Sequence, residues 1–367
     1  MLFILAAEIM TACYLTEDLV NFCNAFIGHI RGGLALVNVL ASMLFAGVSG
    51  SASADTSGLG RVEIELMTKA GYDKTYSTTV TVASAIIGPI IPPSNIFIIY
   101  ATVASCSIAG MFVAGILPGI LLGLAYMILC TFYAVRDNHP RGRRYSWKER
   151  LITTWKASPV LLLPVIIIGG ICSGKFTAVE SAAVAMVYAL IIAAIRRKLT
   201  FRLLYGSLTR AAKMCASIML IIAVAAVMGY AITLMGLPKI LSEWFLANIS
   251  SKYTFLLIVN IILLVLGCLL DQSPALLIAA PVLLPIAKAF GIDPIHFGII
   301  CCFNLTVGLI TPPVGMQLFI GANVGGIRLD ALYRKIWPFV ICGMITLFII
   351  TFTDISLIIP RLLGYIS

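Results

Sequence analysis

The word Gly-x-x-x-Pro-Pro occurs twice in this 367-residue chain, at residues 88–93 and 308–313, each time inside an apolar stretch. Proline lacks an N–H, clashes with the preceding turn and pushes the residue before it out of the helical region. Two adjacent prolines therefore open an apolar span into two half-helices with free carbonyls between them. The copies are 308 − 88 = 220 residues apart. At that single offset, without a gap, Gly71 pairs with Gly291, Asp73 with Asp293, Ile90 with Ile310, Pro92 with Pro312 and Pro93 with Pro313. Extended backwards, it pairs Gly47 with Gly267 and Ser53 with Ser273. Two related halves are a plan on which many carriers are built.

Each half holds a second kind of interrupted segment. In the first, apolar residues 33–47 lead to the polar cluster 49–55 and then to 59–68; in the second, 253–270 lead to 271–274 and then to 275–290. The limb after each break reads as too short to cross a bilayer. Re-entrant hairpins are expected, with tips at membrane depth, where non-helical backbone must be buried in protein or line a wet cavity. The membrane itself follows from composition: 61% of residues are hydrophobic and 11% charged, against about 25% charged in soluble domains. At about 20 residues per crossing the length allows roughly eight to ten membrane segments. Ordinary spans read at 108–135, 159–170, 178–195, 203–234 and 336–359. Residues 1–14 resemble the second half of a helix, 16–31 an amphipathic helix lying along the interface, and 238–250 an interfacial segment around Trp244.

The net charge is +10, from 25 Lys+Arg against 15 Asp+Glu. Arg136, Arg141, Arg143, Arg144, Lys148, Arg150 and Lys156 fall in one connection, and Arg196, Arg197, Lys198, Arg202, Arg210 and Lys213 in another. Short basic loops beside apolar spans face the cytoplasm. Both loops are assigned there, with two crossings between them joined by a Ser173-Gly174-Lys175 turn. The basic residues have no folded domain behind them, so no nucleic-acid partner is expected. The ten cysteines lie in apolar runs without a CxxC pair or a His at ligand spacing, and read as packing residues. His29, His139 and His296 are scattered. No protease dyad or His-Glu-x-x-His is present, and no catalytic residue is predicted.

Freed carbonyls together with hydroxyls suit a hard monovalent cation, and a half-helix N-terminus favours an anion. One Pro-Pro in one helix would be a kink tolerated for packing. Two at equivalent positions, each matched to a hairpin, predict a transport site where tip meets break.

The words Gly47-Val48-Ser49-Gly50-Ser51-Ala52-Ser53-Ala54-Asp55, Gly88-Pro89-Ile90-Ile91-Pro92-Pro93-Ser94, Ala114-Gly115-Ile116-Leu117-Pro118-Gly119 and Gly308-Leu309-Ile310-Thr311-Pro312-Pro313-Val314-Gly315 resemble the large membrane subunit of the TRAP (tripartite ATP-independent periplasmic) transporters. The resemblance runs over essentially the whole chain, including residues 29–34 and 173–180. It implies an all-α polytopic membrane protein of elevator-type ion-transporter fold, with two inverted repeats, each a re-entrant hairpin and a Pro-Pro-broken helix. On that plan residues 1–32 are a partial scaffold helix and an interfacial helix. Residues 33–106 are the first transport repeat, 107–250 scaffold and connecting helices, 251–326 the second transport repeat, and 327–367 a C-terminal interfacial segment and membrane helix. The family's large subunit normally carries further hydrophobic sequence before the point where this chain begins, so N-terminal segments are expected to be missing.

The resemblance also implies a multi-pass protein of the bacterial inner membrane that imports a carboxylated solute of the sialic, dicarboxylic or sugar-acid type. Sodium rather than ATP would drive it, in agreement with the absence of a Walker A word. Its partners would be a small four-helix membrane subunit, a periplasmic substrate-binding protein and the lipid bilayer. By motif match one sodium site falls at Ala46, Ser49, Gly88, Ile91 and Pro92, and the second at Gly267, Gly308, Thr311 and Val314. Substrate would contact Ser51, Ser53, Asp55, Ser94, Asn95, Asp271, Gln272 and Ser273. Simpler readings stand beside these: Gly88 and Gly308 as packing glycines, Asp55 or Asp271 as helix caps, and Glu8, Glu63, Glu65 and Glu180 as helix-end or interfacial residues. The alternative carrier is a binding-protein-independent sodium/anion symporter, but the Ser-Asn-Asn-Thr-like tips of that class are missing here.

Overall fold

A computed structural model describes residues 2–13, 15–172, 175–249 and 251–365. The described residues form seventeen α-helices: α1 (Leu2–Ala12), α2 (Leu15–Ile27), α3 (Gly33–Ser49), α4 (Ala52–Lys69), α5 (Lys74–Ala85), α6 (Asn95–Ala104), α7 (Ile108–Arg136), α8 (Trp147–Cys172), α9 (Ala178–Ile195), α10 (Phe201–Leu234), α11 (Leu237–Asn248), α12 (Lys252–Leu269), α13 (Gln272–Ala289), α14 (Pro294–Gly308), α15 (Met316–Gly325), α16 (Leu329–Phe352) and α17 (Ile358–Leu362). Six of them are long and apolar enough to cross a membrane.

The offset of 220 holds well beyond the motifs that reveal it. Adding it to α3, α4, α5, α6 and α7 lands on α12, α13, α14, α15 and α16, and adding it to α2 lands on α11. Even α1 falls within the second part of α10. Only α8, α9, the start of α10 and the short α17 have no counterpart. The two broken spans run in opposite directions. Lys335, in the first turns of α16, pairs with Asp73 at the start of α5, whereas the Tyr100 hydroxyl near the end of α6 donates to the Pro294 carbonyl at the start of α14, at 2.7 Å. The repeats are therefore inverted. Arg196 donates to the Lys156 carbonyl at 2.7 Å, which sets both basic loops on one face, shared with the start of α5. By their charge that face is cytoplasmic.

The interior is built around the broken spans. In α14 every residue from Ile295 to Gly308 is buried, and in α5 every residue from Tyr76 to Ala85. Polar seams hold the hairpins to them. Asn38 of α3 donates to Thr81 of α5 at 2.7 Å and accepts from Ser84 at 2.7 Å, with Ser42 donating to Ser84 at 3.1 Å. In the other repeat Asn304 of α14 donates to the Asn260 side chain at 2.7 Å, and Asn260 donates to Thr351 of α16 at 3.1 Å. Where lipid is as apolar as the side chains, such hydrogen bonds and close packing tie helices together. The outer helices show the converse pattern, with Trp155 of α8 82% exposed and Phe201 of α10 85% exposed.

Two details differ from the sequence reading. The hairpin limbs are longer than expected, 18 residues each, because residues 52–58 at the first tip and Gln272 to Pro274 at the second are already helical. The basic connection is shorter, since α8 begins at Trp147 and absorbs Lys148, Arg150 and Lys156. Its start is a capping box: the Glu149 carboxylate accepts from the Ser146 amide at 2.7 Å and the Ser146 hydroxyl accepts from the Glu149 amide at 3.3 Å. Ser173 and Gly174 of the expected turn, Met1, Tyr14 and Ser250 lie outside the described residues.

Candidate functional site

At the first tip α3 ends at Ser49, and Gly50 turns the chain in the left-handed region at φ 58°, its amide bonded to the Ala46 carbonyl at 3.1 Å. A side chain at Gly50 would place its first carbon 2.4 Å from the Pro93 carbonyl oxygen, so the tip lies with bare backbone against the break. Gly88 completes this contact, its would-be Cβ 3.4 Å from Ser51. Ser51 caps α4 by accepting from the Ala54 amide at 3.5 Å, and Ser94 caps α6 by accepting from the Phe97 amide at 3.4 Å while donating to the Pro89 carbonyl. Ser49 is 7% exposed and its hydroxyl has no partner. An orphaned buried hydroxyl beside a carbonyl-rich break is a fitting ligand for a bound cation.

The second tip meets its break more closely. A Cβ on Gly308 would stand 2.5 Å from the Gly267 carbonyl carbon, and one on Gly267 2.8 Å from the Leu305 carbonyl oxygen. The Gly315 amide donates to the Cys268 carbonyl at 3.0 Å, and the Cys268 thiol donates to the Thr311 carbonyl at 3.1 Å. Thr311 donates its own hydroxyl to the Val307 carbonyl at 2.9 Å, leaving the oxygen lone pairs available. Tyr333 donates to the carbonyls of Pro313 at 2.6 Å and Val314 at 3.3 Å. Both Pro-Pro peptide bonds are cis. Of the residues assigned to the ion sites by motif, Ala46, Ser49 and Gly88 come together at the first tip, and Gly267, Gly308 and Thr311 at the second.

The halves also interlock. The first limb of each hairpin packs on the first half of its own broken span, while α4 packs on α15 and α13 on α6, across the repeats. Gln317, 1% exposed, locks one of these crossings by donating to the Ala52 carbonyl at 2.8 Å and to the Thr56 hydroxyl, with Ser53 donating back to it at 3.5 Å. Nothing in the sequence reading singles out Gln317, although it is the first polar side chain after the second break. At each meeting point, helices ending at the tip and the break bring carbonyls, and helices starting there bring N–H groups. C-terminal ends favour a cation and N-terminal ends an anion.

Of the residues assigned to substrate, Ser53 and Asp271 are exposed and Ser51, Asn95 and Ser273 half-buried. Gln272 is spent inside the fold, accepting from Thr306 at 3.0 Å. Asp55 is buried within α4 and is not its cap, a place held by Ser51; Asp271 occupies the cap position of α13 without a side-chain capping bond. Glu65 and Glu180, read as helix-end or interfacial residues, are exposed, but Glu63, read the same way, is only 2% exposed. At the cytoplasmic start of the first broken span, burial pushes the Asp73 carboxyl up. The Lys335 ammonium and the Tyr76 amide outweigh it and hold the group below the usual carboxylate range.

The chain matches the family model described as "Tripartite ATP-independent periplasmic transporter, DctM component" over residues 1–354. It is 38% identical over 99% of its length to the sialic acid TRAP transporter large permease protein SiaM of Vibrio cholerae, covering 86% of that protein. It is 39% identical over 99% of its length to the C4-dicarboxylate large permease DctM of Pseudomonas aeruginosa, covering 85%. With the 2,3-diketo-L-gulonate large permease YiaN of Escherichia coli it shares 37% over 98%, covering 84%. The fold resembles the YdaH transporter of Alcanivorax borkumensis at a TM-score of 0.64 and 14% identity, over 95% of this chain and 84% of that one. An all-α, multi-pass architecture, a carbonyl-lined break in each inverted repeat and this family match agree, and the chain belongs to the DctM component family of the tripartite ATP-independent periplasmic transporters, proteins of the bacterial inner membrane.

Proposed function

We propose that this protein is a sodium-coupled permease that imports a small organic acid by an elevator movement of its two hairpin-and-break repeats. The observation that carries the reading is the pair of equivalent places where a hairpin tip is pressed, backbone to backbone, onto a Pro-Pro break. Sodium would bind at Ala46, Ser49, Gly88, Ile91 and Pro92 in one repeat and at Gly267, Gly308, Thr311 and Val314 in the other, through carbonyls and two hydroxyls. Substrate would sit between the tips on Ser51, Ser53, Asn95, Asp271 and Ser273, backed by Asp55, Ser94 and Gln272. The starts of α4, α6, α13 and α15 would supply the positive dipole ends that hold its carboxylate. The relatives named for sialic acid, C4-dicarboxylates and 2,3-diketo-L-gulonate handle acids of this kind. A small four-helix membrane subunit and a periplasmic binding protein would complete the machine, with no ATP consumed.

The test is uptake by proteoliposomes holding the complex of this chain and its small subunit, with the binding protein outside. Uptake should require an inward sodium gradient and the binding protein. Ser49→Ala and Thr311→Ala should each raise the sodium concentration for half-maximal uptake about five- to tenfold, the equivalent of one lost hydrogen-bond-scale contact of about 1–1.4 kcal/mol. Uptake by this polypeptide alone without sodium would sink the reading.

A further inference from the structure

Hairpin 1 carries two buried carboxylic acids: Glu63, to which the transport reading gives no role, and Asp55, which that reading places behind the substrate. Glu63 of α4 is 2% exposed and neither of its carboxyl oxygens has a hydrogen-bond partner; Asp55, two turns earlier, is 1% exposed with one oxygen unpartnered. The elements packed against α4 are α2, α3, α5 and α15. Neither α3 nor α15 has a titratable side chain. On α5 the only titratable groups are Tyr76, buried at the cytoplasmic end, and Lys74, which is exposed at that end. On α2, Glu17 is exposed and Asp18 is held by Arg196 at 2.6 Å, so the group facing Glu63 is the buried thiol of Cys23. Among the described residues neither acid forms an ion pair.

An ionised carboxylate in apolar surroundings needs a paired charge or several donors. The fold does not demand them either: at the offset of 220 the equivalent residues of hairpin 2 are Ala275 and Leu283, and α13 forms over the same length as α4. We propose that Glu63 and Asp55 form a proton-binding site inside hairpin 1, separate from the sodium sites at the tip. Each acid holds its proton as a neutral carboxyl while α4 is seated against α2, α3, α5 and α15. Releasing one leaves a bare charge in the protein interior. Exchange of the proton is therefore tied to separation of α4 from those neighbours.

The test is infrared spectroscopy of the purified chain in D2O at pH 8, where exposed carboxyls are ionised. The carbonyl stretch of a protonated carboxylic acid should be present in the wild type, fall by about half in Glu63→Gln, and vanish in the Glu63→Gln/Asp55→Asn double variant. Thermal unfolding at pH 8 gives the second readout. Glu63→Gln should melt no lower than wild type, since a neutral isostere replaces a neutral acid. No protonated-acid band in the wild type, a band unchanged in the double variant, or a melting temperature lowered by about 5 °C or more would each overturn the proposal. The spectrum needs neither sodium nor solute, so its outcome is independent of the transport reading.

Discussion

The two repeats share a backbone and differ in side chains. Gly, Pro and the capping aspartates coincide at the offset of 220, and so do the helices they start and stop. The chemistry laid on that frame does not coincide. Ser49 corresponds to Leu269 and Thr311 to Ile91, so the hydroxyl offered to a cation comes from the hairpin in one repeat and from the break in the other. Asp55 and Glu63 correspond to Ala275 and Leu283; Phe97, a buried ring, stands where the other repeat has Gln317. The frame is what an inverted duplication needs in order to fold twice. The unlike side chains are where two sites on one frame can differ in ion strength and in the order of their opening.

The closeness of tip to break differs as well, and this is the largest expected effect. Gly308→Ala puts a methyl 2.5 Å from the backbone of the opposing helix, where only backbone can give way, and should cost about 2–3 kcal/mol as an overpacked site. Gly88→Ala meets nothing nearer than the Ala85 carbonyl oxygen at 3.1 Å and should cost about 1 kcal/mol or less. Thermal unfolding of the two variants measures the gap. Equal losses would mean that the repeats seat their tips alike in solution.

Next in size is the cross-repeat lock. Gln317→Ala leaves the Ala52 carbonyl and the Thr56 hydroxyl without their donor in a buried place, at about 1–2 kcal/mol. Gln272→Ala, within one repeat, should cost about 1 kcal/mol or less, because Thr306 keeps its bond to the Cys302 carbonyl at 2.7 Å. If Gln272→Ala proves the more damaging, the crossing of α15 over α4 is not what holds the halves together.

What the sequence disclosed, and what it hid, divides along the same line. Breaks, hairpins and the repeat were legible because glycine and proline act on the backbone at their own position, whatever lies around them. Gln317 was hidden because its partners stand 261 and 265 residues away. Glu63 was misread for a related reason: α4 also carries Arg61, Glu65 and Lys69, so its composition resembles a surface helix. Which side faces inward is decided by α2, α3, α5 and α15. The early start of α8 was within reach, since Ser146 and Glu149 stand at capping-box spacing, but the surrounding basic residues masked it. Of the site, the share of the substrate residues open to a solute depends on packing that no local signal carries.

The smallest expected difference is at the starts of the broken spans, where Asp73 and Asp293 cap α5 and α14. Asp293 accepts from two amides, Ile295 at 2.7 Å and His296 at 3.2 Å. Asp73 accepts from one, Tyr76 at 3.0 Å, and adds the Lys335 ion pair on a half-exposed surface. Loss of a cap costs about 1 kcal/mol, so Asp73→Ala and Asp293→Ala should destabilise nearly equally near neutral pH. The Asp73 contribution depends on pH. The Asp73 carboxyl sits below its ordinary value in the folded protein, so its contribution is present above the unfolded value of about 3.9. It is lost as pH falls through the lower folded value. The gap between wild type and Asp73→Ala should therefore hold down to about pH 4 and close below it, and at about 1 M salt, where the screening length is about 3 Å, the Lys335 share of it should shrink. A gap that closes already near pH 5 would show that the ion pair does not hold this carboxyl charged.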